Sequence, residues 1–298
     1  MSAERGHRTL AAVILLVVAG ALATLLLAAG SAHAQVAQVA ALRGKNFSIW
    51  LKSYSLSSKD QKQRLTIACP GRALPLGGGM VGTPSPAFDG QGVYPHSYER
   101  LGVQHGWHVT AVLYTPGAAP QPHQVTLQVV CAPRVAHVTP PHRTVWVPSG
   151  ETRSAVATCP GRRHLFAGGF QRTDFTSRGG DFVTESRAIS SKSWRVTGHA
   201  FGAFGGQLTA IAYCWHSKKP LLREVTGSTV VPTGSYATAN TTTCPAGTRM
   251  VAGGFSANDS TSMFLTDGVI RLPGVWSTGG YNAGAPSTLT SYGYCLHL

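Results

Sequence analysis

From residue 46 onward the chain consists of short runs in which apolar and polar residues alternate, separated by clusters of Gly, Pro, Ser and Thr. Ser193-Trp194-Arg195-Val196-Thr197 is one such run. Period-two alternation suits a half-buried β-strand, because successive side chains leave the backbone on opposite faces. Thr144 to Val147 and Thr229 to Val231 each run into a turn triplet, Pro148-Ser149-Gly150 or Pro232-Thr233-Gly234, the punctuation of a strand closing in a turn. Further strands are predicted at His164 to Phe170 and Met250 to Phe255, and at Val125 to Cys131, Leu208 to Cys214 and Leu289 to Cys295. Four or five antiparallel strands per segment are expected, enough for independent stability. Long helix-forming runs are absent after residue 42, so this part is read as all-β.

The first 34 residues break the pattern. Arg5 and Arg8 precede an uncharged apolar run, Leu10 to Gly30, and Ala32-His33-Ala34 offers a small-x-small cleavage site. That is the layout of an export signal. The run is also long enough to span a bilayer, so a single-pass anchor helix at residues 10–30 is the rival, and contact with a membrane is expected only if the segment stays uncleaved. Residues 35–45 form a short tether.

Aligning the remainder on Cys69, Cys159 and Cys244 brings up one pattern three times. Pro follows each Cys at once (Pro70, Pro160, Pro245), and a Gly comes next (Gly71, Gly161 and, displaced by one residue, Gly247). A glycine pair then stands nine and ten positions after each Cys: Gly78-Gly79, Gly168-Gly169 and Gly253-Gly254, closed by Met80, Phe170 or Phe255. Trp107, Trp194 and Trp276 follow, and each copy ends at a second cysteine, Cys131, Cys214 or Cys295, with Thr126, Thr209 or Thr290 five residues before it. The copies lie too far apart for a solenoid and are read as three tandem antiparallel β units: 46–133, the most divergent, 134–216 and 217–298. They are either beads on connectors, at 132–143 and 216–227, or packed about a pseudo-threefold axis.

Six cysteines allow 15 pairings. One early and one late cysteine per copy favour Cys69–Cys131, Cys159–Cys214 and Cys244–Cys295, staples suited to units with thin cores. No CxxC occurs, which speaks against zinc fingers and thioredoxin-like chemistry, and an even set in an exported chain favours disulfides.

Charged residues make up 12% of the chain, and the formal net charge is +14. For an exported protein such a charge points to anionic wall polymers or glycans rather than nucleic acid. Arg43, Lys45, Lys52, Lys59, Lys62, Arg64 and Arg72 crowd residues 42–72 against Asp60. Lys59, Lys62 and Arg64 are therefore candidate binding residues. The three tryptophans are a second candidate set, because indole rings stack on sugar faces; core packing against the disulfides is the competing role.

Signatures of catalysis are missing: no GxSxG, HExxH, P-loop or GxGxxG is present. Asp174, Asp181 and Glu185 are the best carboxylate set for glycoside hydrolysis. Asp259 stands at the offset of Asp174, with Asp267 nearby, and the aspartates also read as turn residues. His105 and His108 would point to opposite faces of a strand, and no metal or cofactor is expected.

Cys244-Pro245-Ala246-Gly247, Val251 to Phe255, Trp276 and Tyr292-Gly293-Tyr294-Cys295 resemble a module of uncharacterised secreted actinobacterial proteins, over most of residues 46–298. The resemblance implies an extracellular or envelope-associated β module and transfers no catalytic residue. The expected function is non-enzymatic binding in the envelope. A secreted hydrolase centred on the second unit and a purely structural surface protein are the alternatives.

Overall fold

Alternation becomes strand wherever one face can be buried. In Ser193–Gly202 the side chains of Trp194, Val196 and Ala200 point inward while Arg195 and Thr197 are half exposed. The computed structural model describes residues 47–56, 62–83, 92–101, 106–114, 123–133, 140–173, 179–202, 205–217, 220–271 and 274–297. The export or anchor segment, the tether, Lys59, Asp174 and His105 lie outside the described residues.

Each repeat supplies six described strands. The first gives β1 (Ser48–Leu56), β2 (Lys62–Ala68), β3 (Leu74–Thr83), β4 (Gly92–Leu101), β5 (Gly106–Tyr114) and β6 (His123–Ala132). The second gives β7 (His142–Val147), β8 (Thr152–Thr158), β9 (Arg163–Arg172), β10 (Gly179–Ala188), β11 (Ser193–Gly202) and β12 (Gly206–His216). The third gives β13 (Leu222–Val231), β14 (Ser235–Asn240), β15 (Arg249–Ala257), β16 (Met263–Arg271), β17 (Val275–Asn282) and β18 (Ser287–Leu296).

The expected four or five strands per repeat are thus corrected to six. The additional strand lies between the glycine pair and the tryptophan, as β4, β10 or β16. Pro95 and paired glycines hid it, and so did the fact that one of its two partner strands lies in another repeat. The supposed connectors shorten as well, because β7 begins at His142 and β13 at Leu222.

These strands form three six-stranded sheets, in the orders β1-β6-β3-β16-β17-β14, β13-β18-β15-β10-β11-β8 and β2-β5-β4-β9-β12-β7. Every sheet joins the first, sixth and third strands of one repeat to the fourth, fifth and second strands of another. The joins are Met80 opposite Gly268, Phe255 opposite Ser186, and Phe170 opposite Tyr98. Three such joins close a ring, so the repeats are packed about a pseudo-threefold axis and are not beads. One continuous core runs through all three.

The recurring residues now have physical reasons. Cys69–Cys131, Cys159–Cys214 and Cys244–Cys295 are bonded, each tying the two half-sheets of one repeat together. Thr126, Thr209 and Thr290 pair their hydroxyls with Ser53, Thr144 and Ser228 across the neighbouring strand, at 2.8, 2.8 and 2.9 Å.

The first glycine of each pair lies under its own repeat's tryptophan. A Cβ on Gly78, Gly168 or Gly253 would sit 2.4–2.6, 2.0 or 2.0 Å from its nearest neighbours, which include the Trp107, Trp194 or Trp276 ring. The second glycine lies under backbone of another repeat. A Cβ on Gly79, Gly169 or Gly254 would meet the carbonyl of Gly268, Tyr98 or Ser186 at 1.6, 2.2 or 2.3 Å.

Buried side chains also cross the joins. The Tyr213 hydroxyl accepts from the Arg100 N–H at 2.6 Å, and the Tyr294 hydroxyl accepts from the Ala188 N–H at 2.8 Å. At the third join Gln128 does both jobs, its Oε1 accepting from the Ile270 N–H at 2.6 Å and its Nε2 donating to the Ile270 carbonyl at 2.9 Å. Tyr213→Phe leaves a backbone N–H without its acceptor, which should lower stability by about 1–2 kcal/mol. A denaturant titration checks this: an unchanged midpoint would show that the hydroxyl contributes nothing to the join.

Candidate functional site

Among the described candidate residues, the three tryptophans converge on one small buried cavity, apart from the basic and acidic candidates. Trp107, Trp194 and Trp276 are 2%, 1% and 3% exposed, so they are core residues and cannot stack on a sugar. The Arg64 Nε donates to His108 Nε2 at 3.0 Å, a ring that burial and the Arg64 charge hold neutral, with its pKa lowered to about 4. Lys62 begins β2 and is exposed.

Among the described carboxylate side chains, Glu185, Asp259 and Asp267 each serve a separate local contact. Asp181 lies on β10, though its side chain is outside the described residues. Asp259 caps a turn, accepting from the Thr261 N–H and hydroxyl at 2.7 Å each. Asp181 and Asp267 are thus strand residues and not turn residues, and Glu185 and Asp267 occupy equivalent places in different joins. Asp267 is 2% exposed and accepts from the Gly82 N–H at 3.0 Å and the Tyr236 hydroxyl at 2.5 Å. Among the described residues no group of three His, Cys, Asp or Glu could hold a metal ion.

Glu185 is engaged in an ion cluster. Arg195 donates twice, at 2.9 and 2.7 Å, Arg187 at 2.6 Å and the Thr197 hydroxyl at 2.8 Å. Burial alone would raise this carboxyl; the hydrogen bonds from Arg195 and Thr197 and the charges of Arg195 and Arg187 outweigh it, and the pKa is lowered. A lowered carboxyl contributes stability above its unfolded pKa and loses it as pH falls through the folded one. Glu185→Gln should therefore lower stability by about 1–2 kcal/mol at neutral pH, a figure kept small because the arginines reach solvent. The difference should shrink below about pH 4, where the wild-type group protonates. Parallel urea titrations at the two pH values test this, and a pH-independent difference would refute it.

A different site emerges at one end of the pseudo-threefold axis. In each join strand the register slips by one residue, between Pro95 and Ser97, between Val183 and Glu185, and between Leu265 and Asp267. Such bulges bend a strand and re-aim its side chains. Just before each stands an aromatic residue, Tyr94, Phe182 or Phe264, and the three line one pocket of about 270 Å³. Phe182 and Phe264 lie 4.3 Å apart between ring centroids, and Tyr94 meets Phe264 edge-on at 6.0 Å.

The rest of the lining follows the same threefold rule. Pro95, Val183 and Leu265 are equivalent, as are Tyr114, Phe201 and Ala283, each seven residues after its tryptophan. Tyr281 and Arg172 break the rule. Arg172 stands four residues after the first glycine of its pair, where the other repeats have Gly82 and Ala257. Its guanidinium is buried, with Nη2 donating to the Pro95 carbonyl at 3.1 Å. Sequence reasoning missed this site; the signal available was an aromatic residue 12 or 13 positions before each tryptophan.

Neither the family models nor the curated proteins contain a match to this chain.

Proposed function

We propose that this chain is a non-enzymatic extracellular binding protein whose ligand enters the axial pocket. The observation that carries the reading is the convergence of equivalent aromatic positions from all three repeats on one cavity. Apolar clefts with a few placed polar groups are where proteins bind small ligands. The described lining holds Arg172 and three tyrosines but no carboxylate, histidine or cysteine, which supports binding over hydrolysis. Three disulfides and no free cysteine fit an oxidising, extracellular setting.

Saturable binding of an environment-sensitive apolar fluorophore by the full chain tests the reading. It should be abolished by Phe264→Arg, which places a charge among the rings, with the thermal midpoint retained. Fluorophore binding unaffected by that substitution would locate it elsewhere and sink the proposal.

The excess of Lys and Arg supports a second, weaker association with anionic wall polymers through the basic first repeat. Exposed charges act through a field that salt screens within about 8 Å at physiological ionic strength. Retention on purified walls should fall steeply as salt rises, and Lys59→Glu with Lys62→Glu should reduce it. Retention unchanged by both would leave those lysines as solubilising charges.

A further inference from the structure

We infer that the axial pocket takes a compact amphiphilic anion: one ring or short branched chain within the aromatic walls, with a single oxyanion head against Arg172. This rests on the reading of the pocket as the ligand site and names what fits it.

The size comes first. An engineered cavity of about 150 Å³ accepts benzene, so about 270 Å³ leaves room for a ring and its substituents but not for an oligosaccharide. A bare sugar also fits poorly by chemistry, since most hydroxyls buried among Phe182, Phe201 and Phe264 would lack partners.

The head group follows from the broken symmetry. Gly82 and Ala257 keep two sides of the threefold ring small, whereas the third carries a guanidinium, 5% exposed. The bond to Pro95 orients the planar group, and an oriented guanidinium suits carboxylate and phosphate oxygens. Positive charge from Arg172 and Lys62 reaches a neighbouring residue as well. His96, beside Pro95 and 1% exposed, has its pKa lowered to about 2 by burial first and then by the charges of Arg172 and Lys62. This end of the axis therefore favours negative charge.

Calorimetric titration of the full chain with 3-phenylpropionate, phenyl phosphate and the neutral 3-phenylpropanol tests the inference. At least one anion should bind about tenfold or more tighter than the alcohol, the range a charge-assisted hydrogen bond supplies. Which anion binds tighter distinguishes a carboxylate from a phosphate head. In Arg172→Gln the advantage of the anion should disappear while the alcohol keeps its affinity. The wild-type ratio stands by itself should that variant fold poorly. Equal binding of anions and alcohol, or an anion preference that survives in folded Arg172→Gln, overturns the inference yet leaves the pocket as a ligand site. Failure of Phe264→Arg to affect any probe overturns the pocket reading itself.

Discussion

Gly168→Ala is expected to lower stability by about 3 kcal/mol, at or above the upper end of the usual overpacking penalty. The new methyl would sit 2.0 Å from the Trp194 ring, and that ring has nowhere to retreat, because it is 1% exposed and its Nε1 donates to Ser186 at 3.0 Å. Gly79→Ala should be at least as damaging, since its Cβ would lie 1.6 Å from the Gly268 carbonyl and backbone yields less than a side chain. Gly161→Asn provides the contrast. Its φ is +57° with nothing within 4 Å of a Cβ, and Asn tolerates that conformation at a cost of about 1 kcal/mol or less. Equilibrium unfolding of the three variants ranks them. Combining Gly168→Ala with Trp194→Phe should recover part of the loss, because neighbouring substitutions couple. A Gly168→Ala protein within about 0.5 kcal/mol of wild type would mean that the Trp–Gly contact is loose.

Removal of one staple should cost at least as much. In the chain-entropy account a bridge closing a loop of 55 residues, as Cys159–Cys214 does, contributes about 4 kcal/mol. Against a typical total of roughly 5–15 kcal/mol that is a large share. Cys159→Ala with Cys214→Ala should drop the melting midpoint by about 10 °C, given roughly 2–4 °C per kcal/mol for a chain of this size. Alanine is preferred to serine because Cys214 is fully buried and a hydroxyl there would need a partner. Calorimetric scans of the variant against wild type decide the matter. Coincident midpoints would show that the two half-sheets hold together without the bridge.

What could be read from the sequence was whatever is local. Cys159, Pro160 and Gly168 recur at fixed offsets, and Trp194 in the same order, because each serves a contact inside its own repeat, and the alternation around Trp194 marks a strand whose faces differ. The joins between repeats left weaker traces. The second glycine of each pair meets Tyr98, Ser186 or Gly268, three different residues, because only their backbone is used. Tyr213 and Tyr294 cross their joins in the same way, yet the first repeat uses Gln128 instead, so no single residue type signals the contact. The pocket was hidden for a related reason. Tyr94, Phe182 and Phe264 fall 25, 23 and 20 positions after the first cysteines, and the bulges that aim them follow from pairing geometry rather than composition. Asp181 and Asp267 read as turn residues because a carboxylate inside a strand is unusual until its neighbours, in other strands, are known.

Closure of the ring also fixes how many repeats this architecture can have. With the third repeat missing, β4 and β9 would still pair, but β3 and β10 would each be left as a bare inner edge. Such edges are templates for strands of another molecule, so two repeats would chain together into open polymers. The third consumes both edges at once. It does so late, because contacts such as Gly82 with Asp267 span 185 positions of the chain and such long-range pairings form slowly. Three is therefore the smallest number of copies that ends the assembly within one molecule.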